Sequence, residues 1–354
     1  MTPRATTSTR VVHYLVLSAS LAGSAVTGAG CGTSQPEPEV RSLPLPGGTA
    51  GIGLDDLRYS KRMASILVPA GRTGSVDLID ASTQAIRAIG GFATQDTFDG
   101  GHDFGATSVE EVAGLLYVTD RTSLELSVVD PGTGTIVSTV ALAASPDYVR
   151  HARTGELWVT EPDAEQIEIF AFVEGSQVAP VSIATVAVPG GPESLAIDAT
   201  RGRAYGHAEG GLSVAIDLAA RAIVDTWDNG CETPKGIALD EANGLLVVGC
   251  AEGTLVVLDV ANHGAVRSTL SQGNGLDVLG FDLARRHLYA PGSKSATLEI
   301  VGIDAHGGMT PLESVPTAAG AHCATTDGAG TVYVCDPVGG GLFAIRDEHA
   351  ASAP

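Results

Sequence analysis

The chain has 354 residues, 44% of them apolar and 17% charged, which allows a sizeable core and argues against global disorder. Its 20 basic and 41 acidic residues give a net charge of −21, which argues against binding through nucleic-acid phosphates, because those need a basic footprint. The 45 glycines and 18 prolines follow no collagen-like triplet period and point to many tight turns between short strands.

Arg4 and Arg10 are the only charges before Glu37. Behind them runs an uncharged stretch that opens Val11-Val-His-Tyr-Leu-Val-Leu17 and becomes rich in Ala, Ser and Gly. A basic start, an apolar middle and a small-residue end make the layout of a secretory signal. The strongly apolar part is much shorter than the ~20 residues a membrane-spanning helix needs. The stretch ends Gly28-Ala-Gly-Cys31, which resembles the lipobox of bacterial lipoproteins, with Gly28 where that pattern usually has Leu. The resemblance implies a signal peptide over residues 1–30, a lipid on Cys31 and a tether over residues 31–38. The protein is then expected to be exported to the bacterial cell envelope, facing the periplasm or the surface, and to meet the membrane through that anchor. Ordinary signal cleavage without a lipid is the alternative.

A lone strand comes next, Glu39-Val-Arg-Ser-Leu-Pro-Leu45, and after it a unit of roughly 45 residues recurs. Its most apolar strand is Ile66–Val68, Leu116–Val118, Leu157–Val159, Ala204–Tyr205, Leu246–Val248, Leu288–Tyr289 and Val332–Val334 in successive copies. An alternating strand follows that often closes on Asp, as in Ser75–Asp80, Leu126–Asp130, Leu212–Asp217, Leu255–Asp259 and Leu298–Asp304. One further strand precedes this pair (Glu193–Asp198, Lys235–Asp240) and one follows it (Thr135–Val140, Ala222–Trp227). Four short antiparallel strands repeated seven times predict an all-β chain, a seven-bladed β-propeller over residues 39–348. The last unit has three strands and ends near Asp347, so the lone N-terminal strand is expected to complete that blade and close the ring. Residues 349–354 are left as a disordered tail.

The phrase Leu116-Tyr-Val-Thr-Asp120, followed by Leu126-Ser-Val-Val-Asp130-Pro-Gly-Thr-Gly-Thr-Ile-Val-Ser-Thr-Val140, resembles the YVTN (YncE-like) β-propeller repeat family. The likeness runs over essentially the whole mature chain. It implies the architecture and an exported protein, whereas activity stays open, since propellers carry both enzymes and binding scaffolds.

Five cysteines are present, Cys31, Cys231, Cys250, Cys323 and Cys335. With Cys31 lipidated, four remain, an even number suited to two bridges in an oxidising compartment. No CxxC or CxxCH occurs, which removes zinc ribbons, thioredoxin-type motifs and covalent c-type haem. A hairpin that pairs Asp327 with Thr331 puts Cys323 opposite Cys335, with Cβ atoms ~4.5–5.5 Å apart and close to bridging range. Cys231 lies just before one strand and Cys250 ends its hairpin partner, so these two are expected to meet at the same rim.

No HExxH, GxSxG, Walker A or EF-hand loop is present. Trp158 and Trp227 are the only tryptophans, too few for the repeated docking motifs of quinone-binding propellers. The strand-end residues Asp80, Asp130, Asp217, Asp259 and Asp304 sit in separate blades and read as caps of the following turns. Function is expected at the mouth of the central channel. Loops entering the innermost strands bring His102, Asp103, Asp147, Glu193, Lys235, Asp277 and His322 there. Loops leaving the second strands add Arg72, Asp120, Arg121, Glu161, Asp163, His207, Lys294 and Asp336.

Carboxylates, imidazoles and a lysine at one mouth can hold a polar ligand, and His102, Glu193 and His322 suit a divalent metal. A channel mouth is also wet, so polar side chains there need no ligand to explain them. The leading reading is a cell-envelope binding or interaction module for an envelope protein or a small molecule. The alternative is a metal-dependent hydrolase, lactonase-like or redox enzyme at the same mouth. Glu193, Asp277 and Asn274 would be the lactonase-type ligands.

Overall fold

The fold was described from a computed structural model covering residues 39–352, and among them the strands form seven four-stranded antiparallel sheets. The signal over residues 1–30, the tether over 31–38 and Cys31 lie outside the described residues. Blade 1 consists of Arg58–Ser60, Ser65–Pro69, Ser75–Asp80 and Ile86–Gly90, in order from the channel outwards. Blades 2 to 6 repeat this order, with first strands starting at Ala106, Val149, Glu193, Pro234 and Gly280. Blade 7 runs Ala324–Thr326, Thr331–Asp336 and Gly341–Arg346, and its fourth strand is Val40–Pro44, with Val40 opposite Ile345 and Pro44 opposite Gly341. The first strands of neighbouring blades touch all the way round, blade 7 against blade 1 included.

Burial follows from this stacking. A second strand has sheet partners on both sides and a neighbouring blade on each face. Ser65–Pro69, Leu115–Asp120, Leu245–Cys250 and His287–Gly292 are accordingly buried at every position. The aromatic residues of the repeated apolar strand, Tyr117, Trp158, Tyr205, Tyr289 and Tyr333, are the bulkiest fully buried side chains. Outer strands have one open edge, and Ala222–Asp228 exposes alternate residues to solvent.

The repeated strand-end aspartates cap their turns. Asp80 accepts from the amides of Ser82 and Thr83, Asp130 from Gly132, Asp217 from Ala219 and Ala220, and Asp259 from Ala261. Both expected disulfides are present, Cys231–Cys250 and Cys323–Cys335, each with Cα atoms 5.4 Å apart. The second follows the register derived from the sequence: Ala324 faces Val334, and the Cys335 amide donates to the Cys323 carbonyl at 2.9 Å.

The C-terminus departs from expectation. Residues 349–352, read as a disordered tail, lie along blade 6. The Ser352 amide donates to the Arg285 carbonyl at 2.8 Å, Arg285 Nη1 to the His349 carbonyl at 2.8 Å, and His349 Nε2 meets Glu313 Oε2 at 3.0 Å. The buried His287 ring faces the Ala350 carbonyl at 3.1 Å and Asp347 Oδ2 at 2.7 Å. Tail composition alone concealed these partners, which sit on another blade.

Candidate functional site

His102, Asp103, Asp147, Glu193, Lys235 and Asp277 line one cavity of about 300 Å³, together with Asp55, Arg121, Tyr148 and Asp163. His322 adjoins it, its ring stacked on His102 with centroids 5.1 Å apart and planes at 30°. All seven entry-loop residues expected at the mouth therefore gather there, one or two from each of blades 2 to 7. Asp55 is blade 1's counterpart. No strand pattern in the sequence marks Asp55, because the first repeated apolar strand, Ile66–Val68, begins well after it.

Among the exit-loop residues, Arg121 and Asp163 reach the cavity and others do not. His207 is fully buried in blade 4, between Ser213 Oγ at 3.0 Å and the Gly236 carbonyl at 3.1 Å. Burial holds its pKa down to about 4, so it is a neutral core histidine. Arg72 is spent on the carbonyls of Gly47, Gly51 and Gln95, and Asp336 caps the Gly339 amide. Glu161 is buried beneath the rim, where it accepts from the Ala144 amide and Gln166.

Arg121 ties three blades together at the mouth. Its Nη2 donates to Asp55 Oδ2 of blade 1 at 3.1 Å and also contacts Asp147 Oδ1 of blade 3. Its Nη1 donates to the His102 carbonyl of blade 2 at 2.9 Å, and its Nε to the Pro146 carbonyl at 2.9 Å. Five donors in a rigid fork suit a guanidinium to this task. His102 Nδ1 lies 3.1 Å from Asp55 Oδ2 and 2.8 Å from Arg121 Nη1, and it can serve only one of them. The His102 carbonyl already satisfies Arg121 Nη1, so the proton on Nδ1 faces the buried carboxylate.

The charge states follow from this sharing. Burial raises the Asp55 pKa, but His102 and Arg121 outweigh it and hold the group well below the usual carboxylate range. Asp55 in turn pulls the His102 pKa up to about 9. Among the described residues Asp147 has Arg121 as its only side-chain partner, and burial followed by repulsion from Asp55 pushes its pKa up to about 8. Asp55 has three partners, Thr107 included, so Asp147 is the member of the pair that takes the proton.

Blades 4 to 7 supply a less committed half of the mouth. Lys235 Nζ donates to Glu193 Oε1 at 2.7 Å, leaving two of its donors free. Burial lowers the Lys235 pKa, but Glu193 reverses this and holds it above the ordinary value. Asp277 lines the cavity with no side-chain hydrogen bond among the described residues, and burial raises its pKa. Gly236 places it there. A side chain at position 236 would run into the Asp277 carbonyl. His322 Nε2 is buried without a hydrogen-bond partner among the described residues. Of the three residues suited to a metal by type, His102 and His322 come together and Glu193 is held by Lys235. Asp55, His102 and His322 have donor atoms within 4.8 Å of one another.

No protein-family model matches the chain, and no curated protein does. Solved structures do. A chain of a mitotic checkpoint complex is similar at 17% identity over 96% of this chain and 98% of that one, with a TM-score of 0.71. A β-propeller domain from Myceliophteria thermophila is similar at 13% identity, 86% and 99% coverage and a TM-score of 0.68. Hydrazine synthase of Kuenenia stuttgartiensis gives 13% identity, 85% and 97% coverage and a TM-score of 0.68. At these identities the likeness establishes the β-propeller fold and nothing about activity.

Proposed function

We propose that this chain is an exported, lipid-anchored binding module of the YVTN repeat type that takes a polar ligand or partner group at the channel mouth. The observation that carries the reading is a pair of unspent groups at the mouth, the Asp277 carboxylate that lines the cavity and the His322 Nε2 atom beside it, neither with a hydrogen-bond partner among the described residues. Lys235 and Glu193 beside them offer both signs of charge. Such a site suits a small group that both donates and accepts hydrogen bonds. The repeat phrases support the family, and the basic, apolar and small-residue order before Cys31 supports export and anchoring.

A thermal-shift screen of small polar solutes tests the site. Hits are expected to stabilise the wild-type chain and to lose that effect in a Glu193→Ala/His322→Ala double variant that keeps its fold. Equal stabilisation of both proteins would move the site elsewhere. Membrane fractionation of Cys31→Ser tests the anchor, with release into the soluble fraction expected and unchanged retention contradicting it.

A further inference from the structure

We propose that Asp55, His102 and His322 form a divalent transition-metal site at the channel mouth. The inference deepens the mouth reading and rests on it. It differs from the ligand set suggested by residue type alone, because Glu193 gives way to Asp55.

His322 is prepared as a ligand. Its Nδ1 lies 2.7 Å from the Gly320 carbonyl, so Nδ1 carries the proton and Nε2 presents a lone pair. That Nε2 is buried and has no hydrogen-bond partner among the described residues. A buried acceptor left in this state costs stability unless something fills it. Metal-binding imidazoles are held in the same manner, one nitrogen donating to a carbonyl or carboxylate and the other free for the ion.

The remaining donors stand close by. His102 stacks on His322, and the donor atoms of the three residues lie within 4.8 Å of one another. An ion there takes the place of the proton between His102 and Asp55, which is released to solvent. Asp55 Oδ2 serves Thr107, Arg121 and His102, whereas its Oδ1 makes no hydrogen bond among the described residues. Two imidazoles and a carboxylate suit Zn²⁺, Co²⁺ or Ni²⁺ rather than the hard cations Ca²⁺ and Mg²⁺, which prefer all-oxygen sets. Asp277 lines the adjoining cavity and offers a further carboxylate beside a bound cation.

Arg121 is the competing cation, since it touches both Asp55 and His102. When an ion takes the Asp55 carboxylate, Arg121 keeps Asp147 and the carbonyls of Pro146 and His102, so the guanidinium is not stranded.

Calorimetric titration of the chelator-stripped, disulfide-intact chain with Zn²⁺ tests the site, with Co²⁺ absorption as a second readout of imidazole ligation. One Zn²⁺ per chain is expected. Its affinity should fall at least about tenfold in His322→Ala and in the bulkier His322→Gln, both checked for fold by circular dichroism. His263→Ala removes a largely exposed imidazole outside the cluster and is expected to leave binding unchanged. Absence of stoichiometric Zn²⁺ in the wild type, or equal affinity in either His322 variant, overturns the proposal. Neither result touches the polar-ligand reading, which stands or falls on the solute screen run in the presence of chelator.

Discussion

Asp55 and Asp56 are neighbours in the chain, yet their carboxylates serve opposite ends of the channel. Asp55 meets His102 and Arg121 at the mouth, each at 3.1 Å, while Asp56 takes Arg150 Nη1 at 2.6 Å and Nη2 at 2.9 Å on the other side. Tyr148 stands between them. It lines both the mouth cavity and a second one of about 580 Å³, and the Arg150 guanidinium lies 4.9 Å over its ring. The mouth is a charged cavity, the setting a retained polar ligand needs.

Removing the guanidinium of Arg121 should loosen this end of the ring. Arg121→Met leaves Asp55 to His102 and Thr107 and takes a donor from buried Asp147 and from the His102 and Pro146 carbonyls, which costs about 1–3 kcal/mol. Urea unfolding is the measurement. A loss below about 1 kcal/mol, the range of a surface pair, would contradict the clamp.

The two bridges staple the entry of a first strand to the end of the second strand in blades 5 and 7. Cys323→Ser/Cys335→Ser should lower unfolding free energy by about 2–4 kcal/mol. Intact mass before and after reduction should differ by the hydrogens of two bridges. Four alkylatable thiols in the unreduced native chain would contradict both pairings.

Stability of the chelated protein should decline from mildly acidic to alkaline pH. The folded state holds a proton on Asp147 up to about pH 8, whereas the unfolded chain releases it near ~3.9, so this contribution wanes as pH rises between the two. His102 acts in the same direction. Its stabilisation is full below ~6.5 and is lost as pH rises through about 9. Asp55 runs the other way, its contribution being present above ~3.9 and lost as pH falls further. The net charge of −21 also disfavours the folded state at high pH, so the variants decide. Asp147→Asn and His102→Gln should each flatten the decline in urea midpoint between pH 5 and 9. Slopes identical to wild type would contradict the assignment.

The fold was legible because a propeller writes each blade into the sequence as a local pattern. The strand ending in Leu116-Tyr-Val118 and its copies needed only periodicity, and Cys323 opposite Cys335 needed only one turn. The mouth was legible for a related reason, since every entry loop occupies the same place in its repeat. Arg121 was harder to read, because its importance comes from Asp55, His102 and Asp147 meeting across three blades, which no local pattern encodes. His207 was misplaced for the same cause: Ser213 and the Gly236 carbonyl, one on the next strand and one on the next blade, bury it. The hold of blade 6 on residues 349–352 likewise depends on Arg285 and Glu313, far away in sequence.

Native mass spectrometry of the chain purified without chelator tests the central claim, that the mouth retains a ligand, most directly. The wild-type protein is expected to carry a discrete non-covalent adduct, metal or organic, that the folded Glu193→Ala/His322→Ala variant lacks. An identical spectrum for the two proteins, once the substitutions are subtracted, would contradict it.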